Sequence, residues 1–156
     1  MKTVKLSIAS ALLLMGATQI VRAADNVQVD ADSMEVVDTD HKTIFRGNVI
    51  ATRPTDQIAS AAMIVTTDDV KQPDGSTKSV TTFIDATGGV VITTSTQKIT
   101  GDWAKFYVQE DRLEVGGGVK VVQGKNTVKG VKLSINLKTN HMQVSGGRVH
   151  GSFVPN

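Results

Sequence analysis

"GVVITTSTQKITGDWAKFYVQEDRLEVGG", Gly89 to Gly117, slides onto "GVKVVQGKNTVKGVKLSINLKTNHMQVSG", Gly118 to Gly146, without a gap. Val90 falls on Val119, Ile92 on Val121, Ile99 on Val128, Gly101 on Gly130, Phe106 on Ile135, Leu113 on Met142 and Val115 on Val144, at a constant offset of 29 residues. Self-similarity at a fixed interval marks a repeat architecture. Within each copy apolar side chains recur at every second residue, as in Val90/Ile92 and Leu113/Val115, which is the pattern of a strand with one buried face. Around Gly101 and Gly130 the parity slips: Ile99 and Gly101 are odd, whereas Ala104, Phe106 and Val108 are even. One extra residue at a bulge or corner produces that slip and keeps the apolar face inward. Each unit therefore reads as a short strand, a long bent strand and a second short strand.

The frame extends in both directions. "GNVIATRPTDQIASAAMIV" puts Val49, Ile58, Met63 and Val65 where Val90, Ile99, Ala104 and Phe106 stand. "VQVDADSMEVVDTDHKTIFRG" supplies an earlier partial unit, and Gly147 and Val149 begin a further copy. An insertion around "DDVKQPDGSTKS", within residues 66–80, carries the turn signal Pro73-Asp74-Gly75 and is predicted to lengthen a surface hairpin. Glu110-Asp111 and Thr139-Asn140 occupy matching sites with residues that favour tight reversals. No unit can bury its apolar face alone, but stacked copies place like residues over one another and close a continuous apolar interior. A closed β-helix, a jelly roll and a V-shaped pair of sheets all satisfy the period. Unequal segment lengths and varied interior side chains favour two facing sheets.

Composition agrees with this reading. The chain has 156 residues, 40% apolar and 21% charged, which suits one folded domain. Aromatics make up only 4% while Val, Ile, Thr and Gly are abundant, which favours strands over helices. The first stretch stands apart: a basic "MKTVK", an apolar "LSIASALLLMGATQI" interrupted by polar residues, and "VRA" with small residues at the cleavage positions. Residues 1–23 are predicted to be a cleaved secretory signal and 24–156 the β domain; the alternative is an uncleaved membrane anchor. Without Lys2, Lys5 and Arg22 the chain carries 14 basic and 15 acidic residues, and near-neutrality argues against nucleic acid as a partner. The charge is nonetheless uneven. Ala24 to Asp85 holds 11 acidic and 5 basic residues, net minus six, and Ala86 to Asn156 holds 4 acidic and 9 basic, net plus five. The absence of cysteine leaves stability to packing and sheet hydrogen bonds, and excludes thiol chemistry.

Little supports catalysis. His41 and His141 lie in turn-like contexts, and none of His41, His141 and His150 has a second ligand at metal spacing, so no metal site and no cofactor are expected. Asp68-Asp69 and Glu110-Asp111 fall at predicted turns, where solvation explains paired carboxylates better than glycosidase chemistry does. No phosphate-cradling glycine loop is present. No catalytic residue is assigned. Trp103, directly after the Gly101 corner, either covers that corner or meets a partner.

The interior is the remaining candidate. Its predicted lining is Val49, Ile58, Met63, Val65, Ile84, Val90, Ile92, Ile99, Phe106, Val108, Leu113, Val115, Val119, Val121, Val128, Leu133, Ile135, Leu137, Met142 and Val144. Small residues at Ala51, Ala86 and Ala104 leave room in it. A stacked array ends in open strands that must be capped or paired. Neither "VQVDADSMEVV" nor "MQVSGGRVHGSF" has a sealing element, and the two ends are oppositely charged, so copies are expected to join head to tail by strand addition.

"VDADSMEVVDTDHKTIFRGNVIAT", followed by "GGV" units after "ITGDWAKFYV" and "VKGVKLSINL", resembles the OstA-like family of lipopolysaccharide-transport proteins over about Val27 to Val149. A signal followed by this single domain is most similar to the family's periplasmic bridge component. The resemblance implies an all-β twisted β-jelly-roll of two facing antiparallel sheets, whose apolar groove holds the lipid A acyl chains of lipopolysaccharide. It implies a periplasmic location, head-to-tail homo-oligomers, and partners in an inner-membrane lipopolysaccharide transporter and an outer-membrane translocon. The hydrophobic positions above would then line the lipid-binding groove, with no enzymatic step. An inner-membrane-anchored lipid-transfer relative and a non-lipid-binding β-repeat scaffold are the alternatives.

Overall fold

The structure, a computed structural model, describes residues 27–155, so the signal assigned to residues 1–23 lies outside the described residues. Ten strands follow one another: β1 (Gln28–Asp30), β2 (Ser33–Val37), β3 (Lys42–Thr52), β4 (Asp56–Lys71), β5 (Thr77–Thr94), β6 (Lys98–Tyr107), β7 (Arg112–Gln123), β8 (Asn126–Asn136), β9 (His141–Ser145) and β10 (His150–Ser152). All pairings are antiparallel, and β3 to β8 are hydrogen-bonded in chain order. At one edge β1 and β2 both pair with β3; at the other β9 and β10 both pair with β8. The fold is the expected all-β jelly-roll, and its two facing layers are halves of one continuous sheet.

A line of bulges creases that sheet. The register breaks between Arg46 and Val49, Thr87 and Val90, Thr100 and Trp103, and Gly116 and Val119. On alternate strands along this line, though not at Gly101 and Asp102 of β6, two consecutive residues have positive φ: Gly47 and Asn48 on β3, Gly88 and Gly89 on β5, Gly117 and Gly118 on β7, and again Gly146 and Gly147 after β9. The last two pairs recur at the 29-residue interval. Two residues on one strand oppose one on the next, and that mismatch is the parity slip visible in the sequence. The short strands flanking each repeat are thus halves of long strands bent through a glycine pair. Gly101 and Gly130 are glycine for a different reason. A Cβ at Gly101 would stand 2.6 Å from the Val115 side chain and one at Gly130 2.3 Å from Val144, so these sites are small because the adjoining half packs over them.

The motif "DAD…GNV" is a single contact at the first crease. The Asp32 N–H donates to the Gly47 carbonyl at 2.9 Å, and Asn48 Nδ2 donates to Asp32 Oδ2 at 2.9 Å. Asn48 tolerates its left-handed φ of 46° because a short amide side chain can bond locally there. The far ends of the strands reverse through 3-10 turns at Asp38–Asp40 and Val108–Glu110, each closed by a left-handed residue, His41 and Asp111. Asn140 plays the same part 29 residues after Asp111, with φ 54°. In the second unit the turn is replaced by an arm, in which Thr67–Lys71 pair with Thr77–Thr81 before the chain reverses at Gly75, φ 86°. This is the hairpin expected of the insertion.

Candidate lipid-binding trough

Cross-strand register arranges the inner face in rows that run from one edge to the other. In the first half, one row is Met34, Phe45, Met63, Ala86, Ala104, Val115, Leu133 and Val144. Beside it lies Val36, Thr43, Val65, Ile84, Phe106, Leu113, Ile135 and Met142. In the second half a row runs Val29, Ala51, Ile58, Ile92, Ile99, Val121, Val128 and Gly151. Val49, Val90 and Val119 line the crease. Residues of both halves form one apolar interior, so the halves face each other across it.

The predicted lining maps onto this interior as follows. Val49, Met63, Val90, Ile92, Ile99, Leu113, Val115, Val119, Val121, Leu133 and Ile135 are buried. Ile58, Val65, Ile84, Phe106, Val128 and Val144 pack against them half-buried. Three others stand apart. Val108 lies in the 3-10 turn that follows β6, and Leu137 lies beyond the end of β8; both extend an inward parity past the point where the strand stops. Met142 continues its row but is 37% exposed, because it belongs to the edge strand β9. Sequence reasoning missed Met34, Val36, Phe45 and Val29. The 29-residue offset could have found three of them, since Met34 precedes Met63, Val36 precedes Val65 and Val29 precedes Ile58 by that interval. Ala51, Ala86 and Ala104 are buried, so the neighbouring side chains use the room they leave. The middle of the interior is filled by its own residues, with Val49, Val115 and Leu133 fully buried.

The rows end in the open at both edges. Met34 and Val36 of β2 are 63% and 57% exposed. At the far edge Met142, Val149 and Phe153 are also exposed. Phe153 is notable: Gly151 leaves the last inward position of its row without a side chain, and the Phe153 ring occupies that space, 2.6 Å from where a Cβ would stand.

The lateral mouth of the trough lies at the strand ends remote from the crease. Arg53, in the turn between β3 and β4, donates from Nε to Asp56 Oδ1 at 2.8 Å, and its guanidinium stands 5.9 Å from the centroid of the Phe106 ring on the opposite half. A cation at that range from an aromatic face is weakly attracted to it. The outer face is polar and aromatic by contrast. Arg112 lies 3.9 Å from the Tyr107 ring centroid and bonds Glu110 at 2.8 Å, which together with Glu114 raises its pKa. Trp103 lies over Gly116, where a Cβ would stand 2.2 Å from the indole, so its ring covers the corner. His41, His141 and His150 are all exposed, and no group of three His, Asp or Glu among the described residues could hold a metal ion. No helix among the described residues is long and apolar enough to cross a membrane.

Comparisons with known proteins point one way. The family model described as LptA/(LptD N-terminal domain) LPS transport protein matches residues 28–141. A curated but uncharacterized protein of Rhizobium meliloti (strain 1021) is 27% identical over 135 residues, covering 83% of this chain and 71% of its own length. Among solved structures, LptH of Pseudomonas aeruginosa, described as the LptA homologous periplasmic component of a lipopolysaccharide transport device, superposes with a TM-score of 0.69. It is 18% identical over 84% of this chain and 96% of LptH, a likeness of fold.

Proposed function

Because this chain belongs to the LptA/(LptD N-terminal domain) family of lipopolysaccharide transport proteins, we propose that it is a periplasmic lipopolysaccharide carrier. Its trough shields lipid A acyl chains, and copies joined head to tail bridge an inner-membrane transporter partner and an outer-membrane translocon. The observation that carries this reading is the pair of apolar rows that cross the inner face of the first half and emerge exposed at both edges, as Met34 and Val36 on one side and Met142 on the other. An isolated domain gains nothing by ending its core in open methionines. A stacked one continues the core through the joint.

The physical need for a trough is large. Each methylene exposed to water costs about 0.8 kcal/mol, so one acyl chain of roughly twelve carbons costs on the order of 10 kcal/mol. Apolar rows interrupted only at Thr43 let lipid advance by small steps in free energy, with direction imposed by loading elsewhere. None of this asks for covalent chemistry. The buried middle of the interior means that acyl chains enter by spreading the halves, meeting the half-buried rim residues Phe106, Ile84 and Val65 first.

That same filled middle favours one rival, a structural scaffold that takes up no lipid. A photo-crosslinking residue separates the two. At Phe106 or Ile135 it should capture lipopolysaccharide, whereas at Lys105 or Ser134 on the outer face it should not. Capture at none of the four would leave the scaffold, and equal capture at all four would remove the trough.

A further inference from the structure

The arm between β4 and β5 reverses the chemistry of the face it extends. On the sheet, inward residues of these strands are Val65 and Ile84. The register then shifts by one at Thr82, since Thr66 pairs with Phe83 but Thr67 with Thr81. Alternation from Val65 places Thr67 on the inner side and the shift brings Thr81 opposite it, followed by Asp69 with Ser79 and Lys71 with Thr77. The arm's outer side carries Val70 and Val80 beside Lys78 and Asp68. A hairpin whose inner side is polar throughout, where the sheet it prolongs is apolar, is built for something that leaves the trough polar.

A hollow of about 150 Å³ lies where the two chemistries meet, lined by Val36, Thr43, His41, Lys42, Thr67 and Ser79, with Asp38 at its side. Val36 and Thr43 belong to the inner row that includes Phe106, so this hollow continues the trough at its mouth. The arm is five residue pairs long, about 15 Å of strand, and two of them, Val70 with Lys78 and Lys71 with Thr77, project beyond the hollow. Charges on this surface nearly balance: Lys42 and Lys71 stand with Asp38 and Asp69, and Lys42 Nζ is already 3.8 Å from Asp40. Hydroxyls without a strong field suit a ligand that is itself rich in hydroxyls.

We propose that the inner face of this arm, with the hollow at its base, binds the saccharide head of the amphiphile whose acyl chains lie in the trough. This rests on the trough reading and adds the polar half of the ligand. Thr43 and Ser79 supply hydroxyls that both donate and accept, the Thr67 hydroxyl, which donates to the His41 carbonyl at 3.4 Å, offers its lone pairs, and the arm holds the head on one side of the mouth as the chains enter beside Phe106.

The test uses the full chain with a benzoylphenylalanine at Ser79, Lys78 or Phe106, purified lipopolysaccharide, and a fluorescent fatty acid as the headless probe. Expected is capture of lipopolysaccharide at Ser79 and Phe106 but not at Lys78, and of the fatty acid at Phe106 alone. Capture at Phe106 without Ser79 overturns the saccharide shelf and leaves the trough standing. No capture at Phe106 overturns both. Equal capture at Ser79 and Lys78 overturns the sidedness on which the shelf depends. A second variant replaces residues 69–79 by Asn-Gly, a two-residue hairpin turn. It should hold fatty-acid affinity within about twofold while lipopolysaccharide affinity falls about tenfold or more; unchanged lipopolysaccharide affinity overturns the proposal.

Discussion

At Gly117 two constraints coincide. Its φ is +78°, and a Cβ there would stand 2.4 Å from the Asp102 side chain across the crease. A left-handed φ costs an L residue roughly 1–2 kcal/mol, and overpacking a well-filled contact typically adds about 1–3 kcal/mol. Gly117→Ala should therefore lower unfolding free energy by about 2–5 kcal/mol, read as a lower urea midpoint with an unchanged slope. Asp102→Gly in the same chain should recover the packing part and leave the backbone part. Asp74 illustrates the opposite case, a local contact at the exposed arm tip. Its carboxylate accepts from the Ser76 hydroxyl at 2.6 Å and the Ser76 N–H at 2.9 Å, and these bonds, the side-chain one foremost, hold its pKa below the usual carboxylate value. A depressed acid pKa means the turn's contribution is complete above that usual value and is lost as pH falls through the lowered one. The Ser76 amide resonance should titrate with that low midpoint, while global stability barely responds because the group is in water. Much of this scale was legible beforehand: Pro73-Asp74-Gly75 announced its turn, since turn chemistry is local to three or four residues. The role of Gly101 was not. Its smallness answers to Val115, fourteen positions away and on the adjoining half.

At the scale of elements, the periodic pattern located the strands, and its parity slips at Gly101 and Gly130 marked the crease, while the extra residues stand on the neighbouring strands at Gly88-Gly89 and Gly117-Gly118. Errors gathered where a strand ends. Val108 and Leu137 keep the parity of β6 and β8, yet the chain has already entered a turn, and alternation alone carries no signal for that stop. The edge strands were harder still. Apolar residues of β2 and β9 look like core in the sequence and stand in water in the monomer. Continuing the 29-residue frame across a joint between two copies places Met142 beside Val36 and Val144 beside Met34, as Leu113 lies beside Ile135 and Val115 beside Leu133 within one chain. With no native cysteine to interfere, a chain carrying Val36→Cys and Met142→Cys should form disulfide-linked ladders on mild oxidation. Neither single variant can extend beyond a dimer. Ladders that form equally well from a pair moved one residue out of register, Glu35→Cys with Met142→Cys, would reject this joint.

For the whole molecule, sheet order converts a charge gradient along the chain into opposite charges on opposite edges. Asp30, Asp32, Glu35, Asp38 and Asp40 lie on or beside β1 and β2, whereas Lys129, Lys132, Lys138 and Arg148 lie on or beside β8 to β10. Such ends attract one another across a joint, and salt screens them within about 10 Å at 0.1 M. Light scattering or analytical ultracentrifugation should show oligomers at low salt that shrink as salt rises. A chain that stays monomeric at high concentration irrespective of salt would count against head-to-tail assembly. The sequence by itself determined the repeat, the class of fold, the crease and the polarity of charge, because each is carried by near neighbours or by composition. Only the tertiary structure decided which rows meet, that the inner face runs open to both edges, and that the arm turns hydroxyls toward the mouth. Those depend on register between distant strands, where a slip of one residue sends every side chain to the other face.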